Sequence, residues 1–256
     1  MFPTEIIMIG KPRTGLVSIS FRNRSVEEIL ELCRRAELDY IEWGSDVHVP
    51  AGDIERAKEV RDLTAKAGIR ISSYGSYYKV GSRMGFEEVL ATAKALGAPI
   101  IRVWAGTRPS RDVDEEYYNR MVEDGIRVRE KAANEGIRLN FEYHRNTMTD
   151  NIASALRIME DTGINSYWQP NPEISYEERI NEVTELRRQL EIIHVFAWTF
   201  KDGENIRHML SEQMDEWEDY SFIAGTENIY LLEFAKDDDE ENVIKDSRTL
   251  RDILLG

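Results

Sequence analysis

Residues 137–163 read IRLNFEYHRNTMTDNIASALRIMEDTG and contain one strand, one loop and one helix in order. The apolar run 137–141 is short and is followed directly by polar residues, as is typical of a buried strand. Apolar residues then recur at helical spacing from Ile152 to Met159. Gly163 stands where the C-cap glycine of a helix belongs. The stretch therefore predicts a β-strand, a polar loop and an α-helix.

The same unit recurs along the whole chain. Short strands are predicted at residues 16–20, 40–43, 69–73, 100–104, 137–141, 166–169, 192–196 and 229–233. Capping boxes that begin at Ser25 and Ser175 mark the starts of two intervening helices, and a last helix is predicted within 234–256. Because strand and helix alternate throughout, the sheet should be parallel and covered by helices. Eight such units predict a single (β/α)₈ TIM barrel over residues 1–256. The alternative is an open doubly wound sheet, but the chain has no Gly-x-Gly-x-x-Gly after its first strand, which is the signature of that fold.

Composition limits the classes of function. The chain has 256 residues, 41% of them hydrophobic, and a formal net charge of -15, which disfavours binding to nucleic acid. Cys33 is the one cysteine and can form neither an internal disulfide nor a zinc knuckle. No apolar run approaches the roughly 20 residues of a membrane span, and the N-terminus lacks the basic segment of a signal peptide. We therefore expect a cytoplasmic protein that acts on a small molecule.

Chemically capable side chains stand where the predicted strands end. In a TIM barrel these ends open on one mouth, where active sites lie. Glu142, His194 and Glu233 stand in or directly after apolar strands, where a charged or polar group is costly unless it has a partner or a function. Gln169 ends the sixth strand. Carboxylate, imidazole and amide oxygen together suit Mn²⁺, Mg²⁺, Co²⁺ or Zn²⁺.

Each of these residues also has a purely structural interpretation. Glu142 can form a salt bridge with Arg102 or Arg145. Glu233 can be the solvated last residue of its strand, and a lone histidine such as His194 is often a hydrogen-bonded core residue. The coincidence of all three at strand ends favours the interpretation as metal ligands.

Other strand-end residues are predicted to contact a substrate. Aromatic faces suit the C–H surfaces of sugars and exclude water, although core packing is the alternative for some of them. The predicted substrate contacts are His48, Tyr74, Trp104, His144, Arg145, Asn171 and Trp198. Candidate cations for a phosphate group are Arg102, Arg108, Arg145 and Lys201. By contrast, His208 is assigned to a helical stretch, 204–210, with a structural role.

The order of Glu142, a sixth-strand residue, His194 and Glu233 resembles the sugar phosphate isomerase/epimerase superfamily, the xylose isomerase-like TIM barrels. The blocks 44–50, 142–147, 167–170 and 194–198 are similar to those of the superfamily. The resemblance implies that Glu142 and Glu233 ligate a divalent metal and also move protons, with His194 as a pure ligand. The metal would stabilise the enediolate that forms when a proton leaves the carbon next to a carbonyl.

Gln169 departs from the superfamily pattern, in which an aspartate usually occupies this place. A neutral amide leaves two carboxylates to face the cation. We therefore expect a more weakly bound but more electrophilic metal ion. The amide oxygen can also bond a substrate hydroxyl instead of ligating the metal.

The first expectation is thus a metal-dependent isomerase or epimerase for a sugar or polyol-like hydroxyketone. Two alternatives stay open: a lyase resembling inosose dehydratase, which would expel a β-hydroxyl after the same enolisation, and a non-catalytic sugar-binding barrel. A zinc nuclease resembling endonuclease IV is disfavoured because the chain has four histidines and a strongly negative charge. Exposed aromatic residues at strand ends would be compatible with a homodimer.

Overall fold

The protein is a closed barrel of eight parallel strands enclosed by helices, seen in a computed structural model that describes residues 11–256. Residues 1–10 of the predicted domain lie outside the described part. The barrel strands are β1 Thr14–Val17, β2 Tyr40–Gly44, β3 Arg70–Lys79, β4 Ile100–Trp104, β5 Arg138–Phe141, β6 Asn165–Trp168, β7 Leu190–Val195 and β10 Ile229–Leu232. Around the barrel they follow the order β1-β10-β7-β6-β5-β4-β3-β2.

Helices cover the outside of the barrel. Within residues 11–256 they are α1 Val26–Arg35, α2 Ile54–Lys66, α3 Phe86–Leu96, α4 Glu115–Asn134, α5 Ile152–Thr162, α6 Tyr176–Leu186, α7 Met214–Ala224 and α8 Glu240–Leu255. Both predicted capping boxes are confirmed, at Ser25 before α1 and at Ser175 before α6. Gly97 and Gly163 are helix C-caps in the left-handed conformation, which glycine adopts without strain. No helix of this part of the chain is long and apolar enough to cross a membrane.

The predicted strands are confirmed, with shifts at their ends. The fourth strand has the predicted bounds. The first strand begins earlier than predicted and gives way to a short 3₁₀ helix, Ser18–Phe21. The third continues to Lys79, well past the predicted end. These differences lie at the mouth, where loop geometry rather than apolar periodicity sets the backbone.

The helical assignment of 204–210 is wrong. Residues Trp198–Lys201 (β8) and Glu204–Arg207 (β9) form an antiparallel hairpin outside the barrel sheet. Its turn is Asp202-Gly203, and both residues have positive φ, 53° and 87°. An Asp-Gly pair favours a tight hairpin turn because its central residues need positive φ. His208 follows the hairpin, and its Nε2 lies 2.8 Å from Thr199 Oγ1.

Candidate active site at the mouth of the barrel

The interior of the barrel changes from apolar to charged along its axis. Successive strand residues point alternately inward and outward, so residues two apart share the interior. An apolar cluster contains Tyr40, Ile100 and Ile192, from β2, β4 and β7. Two residues further along the same strands, and at most 1% exposed, stand Glu42, Arg102 and His194. The pleat of the strands thus stacks a charged layer above an apolar floor.

Arg102 is a buried cation between two carboxylates. Its Nε donates to Glu42 Oε1 at 2.9 Å, and its Nη1 donates to Glu142 Oε2. Ser73 Oγ donates to the other oxygen of Glu42 at 2.8 Å. Burial opposes ionisation of Glu42, but the positive charge of Arg102, together with His194 and Ser73, outweighs it and holds the pKa of Glu42 well below its ordinary value. Glu42 is therefore a carboxylate, and the guanidinium stays charged.

His194 lies between two carboxylate oxygens, one of which also accepts from Arg102. Its Nδ1 is 3.5 Å from Glu233 Oε2, and its Nε2 is 3.8 Å from Glu42 Oε1. Burial alone would lower the pKa of His194, but the carboxylates of Glu233 and Glu42 raise it to about 10. The imidazole is then cationic at neutral pH, with both ring nitrogens protonated.

The predicted metal ligands have suitable chemistry, but two of them, Glu142 and His194, lie against other charged side chains. Arg102 engages Glu142, and His194 Nδ1 lies 3.5 Å from Glu233 Oε2, so these side chains are paired with one another or with the guanidinium. Among residues 11–256, no group of three or more His, Cys, Asp and Glu side chains is placed to hold a metal ion. In this arrangement the residues therefore do not fit a divalent ion, because internal ion pairs already engage three of the four predicted ligands, Glu142, His194 and Glu233.

A cavity of about 290 Å³ opens above the charged layer. Glu142 and Glu233 both lie in its wall, and so does Arg102. A smaller cavity of about 90 Å³ adjoins it. The two cavities share His144, Gln169, Phe196 and Trp198, so they form one cleft, which we call the mouth cleft.

Four residues in the wall of the larger cavity each carry a buried polar atom without a hydrogen-bond partner in the described part of the chain. These atoms are Arg102 Nη2, Trp104 Nε1, Gln169 Oε1 and Trp198 Nε1. Buried polar atoms are ordinarily hydrogen-bonded, and each one left unpaired is destabilising by about 1–3 kcal/mol. Three donors and one acceptor on one cavity wall are therefore suited to a polar ligand with several hydroxyl groups.

Aromatic rings close the sides of the mouth cleft. Phe196 and Trp198 stack with their ring centroids 4.3 Å apart, and Trp104 and His144 lie 4.9 Å apart. Burial lowers the pKa of His144, so its imidazole is neutral at neutral pH. The cleft thus combines apolar faces with a few directed polar groups, as small-molecule sites usually do.

Most of the predicted site residues come together. Of the predicted metal ligands, Glu142, Gln169 and Glu233 line the larger cavity, and His194 lies buried against Glu233. Trp104, His144 and Trp198 also line it, whereas Arg145 and Asn171 line the smaller cavity.

Two predicted substrate contacts lie elsewhere. His48 is buried, with its Nδ1 3.1 Å from Ser18 Oγ and its Nε2 3.2 Å from the carbonyl oxygen of Arg24. The hydroxyl of Tyr74 donates to the carbonyl oxygen of Val49 at 2.8 Å. Neither residue lines the mouth cleft. Both stabilise the loop that follows β2.

From the sequence, Glu42 was not included in the predicted site, and Arg102 was considered only as a candidate cation for a phosphate group and as a salt-bridge partner. Glu42 is a charge inside the apolar strand β2, which is the same signal that marked Glu142 and Glu233. Arg102 was considered as a partner of Glu142, and the structure confirms that pairing. Its central place among the carboxylates follows only from the alignment of β2, β4 and β5 in the barrel.

The chain belongs to the xylose isomerase-like TIM barrel family, whose model matches residues 30–240. A search of curated proteins found no match.

Solved structures with the same fold include enzymes. The chain is 15% identical to the IolI protein with a bound zinc atom, with a TM-score of 0.75, covering 94% of this chain and 98% of that one. It is 17% identical to a probable 3-DHS dehydratase, AsbF of Bacillus anthracis, with a TM-score of 0.71 and coverage of 93% and 98%. It is 17% identical to an L-ribulose 3-epimerase, with a TM-score of 0.66 and coverage of 94% and 95%. At these identities the likeness shows the fold alone.

Proposed function

We propose that this chain is an isomerase or epimerase that moves a proton on the carbon next to the carbonyl group of a sugar-like hydroxyketone. The observation that carries the proposal is the wall of the larger cavity. It presents two carboxylates, Glu142 and Glu233, beside four buried polar atoms that lack protein partners. A polyhydroxylated carbonyl compound offers hydroxyl groups to those atoms and an acidic C–H bond to the carboxylates.

The two carboxylates reach the cavity from different sides. Glu142 directly follows β5 and Glu233 directly follows β10, and β6 and β7 separate these strands on the shorter way around the barrel. One glutamate removes the proton as a carboxylate, and a proton is returned either by the carboxylic acid so formed or by the other glutamate in its protonated form. Return to the opposite face of the same carbon gives epimerisation, and return to the neighbouring carbon gives isomerisation.

The substrate class follows from the size and polarity of the mouth cleft. Its larger cavity, about 290 Å³, suits a single sugar or polyol-like ring. The indoles of Trp104 and Trp198 offer faces to C–H groups and N–H donors to hydroxyl groups.

The divalent metal remains part of the prediction from sequence. The ligands in that prediction are Glu142, Gln169, His194 and Glu233. The zinc atom of the IolI structure supports metal binding within the fold. The ion pairs of Glu142 and His194 favour a source of positive charge other than a metal ion.

Hydrogen exchange with solvent tests the proposal. The protein is incubated in D₂O, with and without Mn²⁺, with a panel of pentuloses, hexuloses and keto-inositols, and the products are followed by NMR. We expect deuterium on the carbon next to the carbonyl, and loss of that signal in Glu142→Gln and Glu233→Gln. Glu191→Gln is the matched control, because Glu191 lies on β7 and pairs with Arg138 away from the mouth cleft.

The outcomes separate the alternatives. Exchange accompanied by loss of water would identify a dehydratase instead. Ligand binding without exchange, unchanged by the two glutamine variants, would identify a non-catalytic sugar-binding barrel and overturn the proposal.

A further inference from the structure

Arg102 is a charged residue that lies buried in the barrel interior. Its side chain is 1% exposed, and it bridges Glu42 and Glu142, which belong to different strands. A charge buried this deeply is strongly unfavourable unless well-placed partners compensate it. Two carboxylates compensate it, and one of them, Glu142, also lines the mouth cleft.

The guanidinium still has one uncommitted donor. Nε and Nη1 are engaged by the two glutamates, whereas Nη2 is buried and lacks a hydrogen-bond partner in the described part of the chain. Arg102 also lines the larger cavity. A guanidinium presents its donors in a fixed plane, so two engaged nitrogens determine where the third can donate.

Gly75 provides the room for this arrangement. It lies beside Arg102 in the β3–β4 register. A Cβ atom at Gly75 would come within 2.8 Å of Arg102 Nη2 and 2.7 Å of Glu42 Oε1, which is closer than such contacts allow. The absence of a side chain at Gly75 thus leaves the room in which Arg102 Nη2 and Glu42 Oε1 lie against β3.

We propose that Arg102 is the resident cation of the site, in place of the divalent metal predicted from sequence, and that it binds the substrate oxygen that becomes negatively charged. This inference rests on the proposed function. When a carboxylate removes the proton, the electrons of the C–H bond move onto the carbonyl oxygen. Arg102 Nη2 donates a hydrogen bond to that oxyanion, and the carboxylic acid then returns the proton. The step needs no oxidant, reductant or bound metal.

Metal binding by the protein itself is the first test. Chelator-treated protein is titrated with Mn²⁺ alone by calorimetry, and the metal content of the purified protein is measured by mass spectrometry. We expect no binding below millimolar Mn²⁺ and a metal content well below one ion per chain. Stoichiometric binding at micromolar Mn²⁺ would overturn the inference. It would leave the proposed function standing if exchange in D₂O still occurred.

Substitution of Arg102 is the second test. Arg102→Met releases Glu142, so Mn²⁺ should bind at least about tenfold more tightly than to the original protein as an unpaired carboxylate becomes available. Arg102→Lys retains a charge but loses the fork of donors, and we expect it to lower kcat of exchange more than it raises KM. Circular dichroism checks that both variants fold. Unchanged kcat in folded Arg102→Lys would contradict the inference, whereas absence of exchange in the original protein with every ketose would contradict only the proposed function.

Discussion

Gly75 is the residue on which the geometry of Arg102 depends most directly. Gly75→Ala places a methyl group where Glu42 Oε1 and Arg102 Nη2 now lie. Because both side chains are held by ion pairs and cannot easily move, we expect the free energy of unfolding to fall by about 1–3 kcal/mol in urea denaturation. Equal stability of Gly75→Ala and the original protein would contradict the described packing.

The buried ion pair of Arg102 and Glu42 can be measured by a double-mutant cycle. Arg102→Met leaves the carboxylate of Glu42 buried and unpaired there, so we expect a loss of about 3–5 kcal/mol in unfolding free energy. Adding Glu42→Gln to Arg102→Met removes that carboxylate. The double variant should therefore be less destabilised than the sum of the two single variants. Additive losses would show that the two side chains do not interact.

The indole N–H groups of Trp104 and Trp198 are predicted to bond substrate hydroxyl groups. Trp104→Phe and Trp198→Phe keep an aromatic face but lose the donor, so each should weaken binding of the ketose by about 1 kcal/mol, roughly fivefold in Kd. Trp43→Phe is the matched control. Its Nε1 donates to Thr64 Oγ1 in the core at 3.1 Å, so its substitution should lower stability and leave Kd unchanged. Equal Kd values for all three variants would remove these indoles from the site.

At the scale of elements, α6 carries a carboxyl group whose ionisation opposes folding. Glu182 accepts from Tyr143 Oη at 2.8 Å and from Trp168 Nε1 at 3.4 Å, and burial raises its pKa from 4.5 to about 7. Because the folded state holds this proton more tightly than the unfolded chain, the contribution of Glu182 to stability is full below its ordinary pKa. That contribution is lost as the pH rises towards 7.

We therefore expect the free energy of unfolding to fall as the pH rises. Between pH 5 and pH 8 the protein should lose on the order of 3 kcal/mol of unfolding free energy through Glu182. In Glu182→Gln this loss of unfolding free energy should not occur. Asp246 is also buried with its pKa raised, to about 6, but it is present in both proteins, so the difference between the two curves isolates Glu182. If the unfolding free energies of Glu182→Gln and of the original protein follow parallel curves against pH, the raised pKa of Glu182 is contradicted.

The elements themselves were largely predictable from sequence. The strand at 100–104 and the caps at Ser25 and Ser175 follow from local patterns that the barrel leaves unchanged. The β8–β9 hairpin was not predicted, because the apolar and charged residues of 204–210 also suit a helix and the decisive signal is the Asp202-Gly203 turn. That turn brings a second strand beside Trp198, a residue that also lines the mouth cleft.

At the scale of the whole molecule, the closed barrel is what turns scattered residues into a site. Glu142, His194 and Glu233 could be selected from sequence because each interrupts an apolar strand. Their partners could not be selected, since Glu42 and Arg102 are 60 residues apart and meet only through the register of β2, β3 and β4. The interior position of a side chain follows from strand alternation, but its contact across the barrel depends on closure of all eight strands.

A crystal structure of the protein grown with a ketose and millimolar Mn²⁺ is the measurement that tests the central claim most directly. We expect the sugar in the mouth cleft, with a carbonyl or hydroxyl oxygen within hydrogen-bonding distance of Arg102 Nη2 and a carbon next to the carbonyl facing Glu142 or Glu233. A sugar bound outside the cleft would contradict the site. A Mn²⁺ ion held by Glu142, His194 and Glu233, with Arg102 displaced from Glu142, would contradict the role given to the arginine.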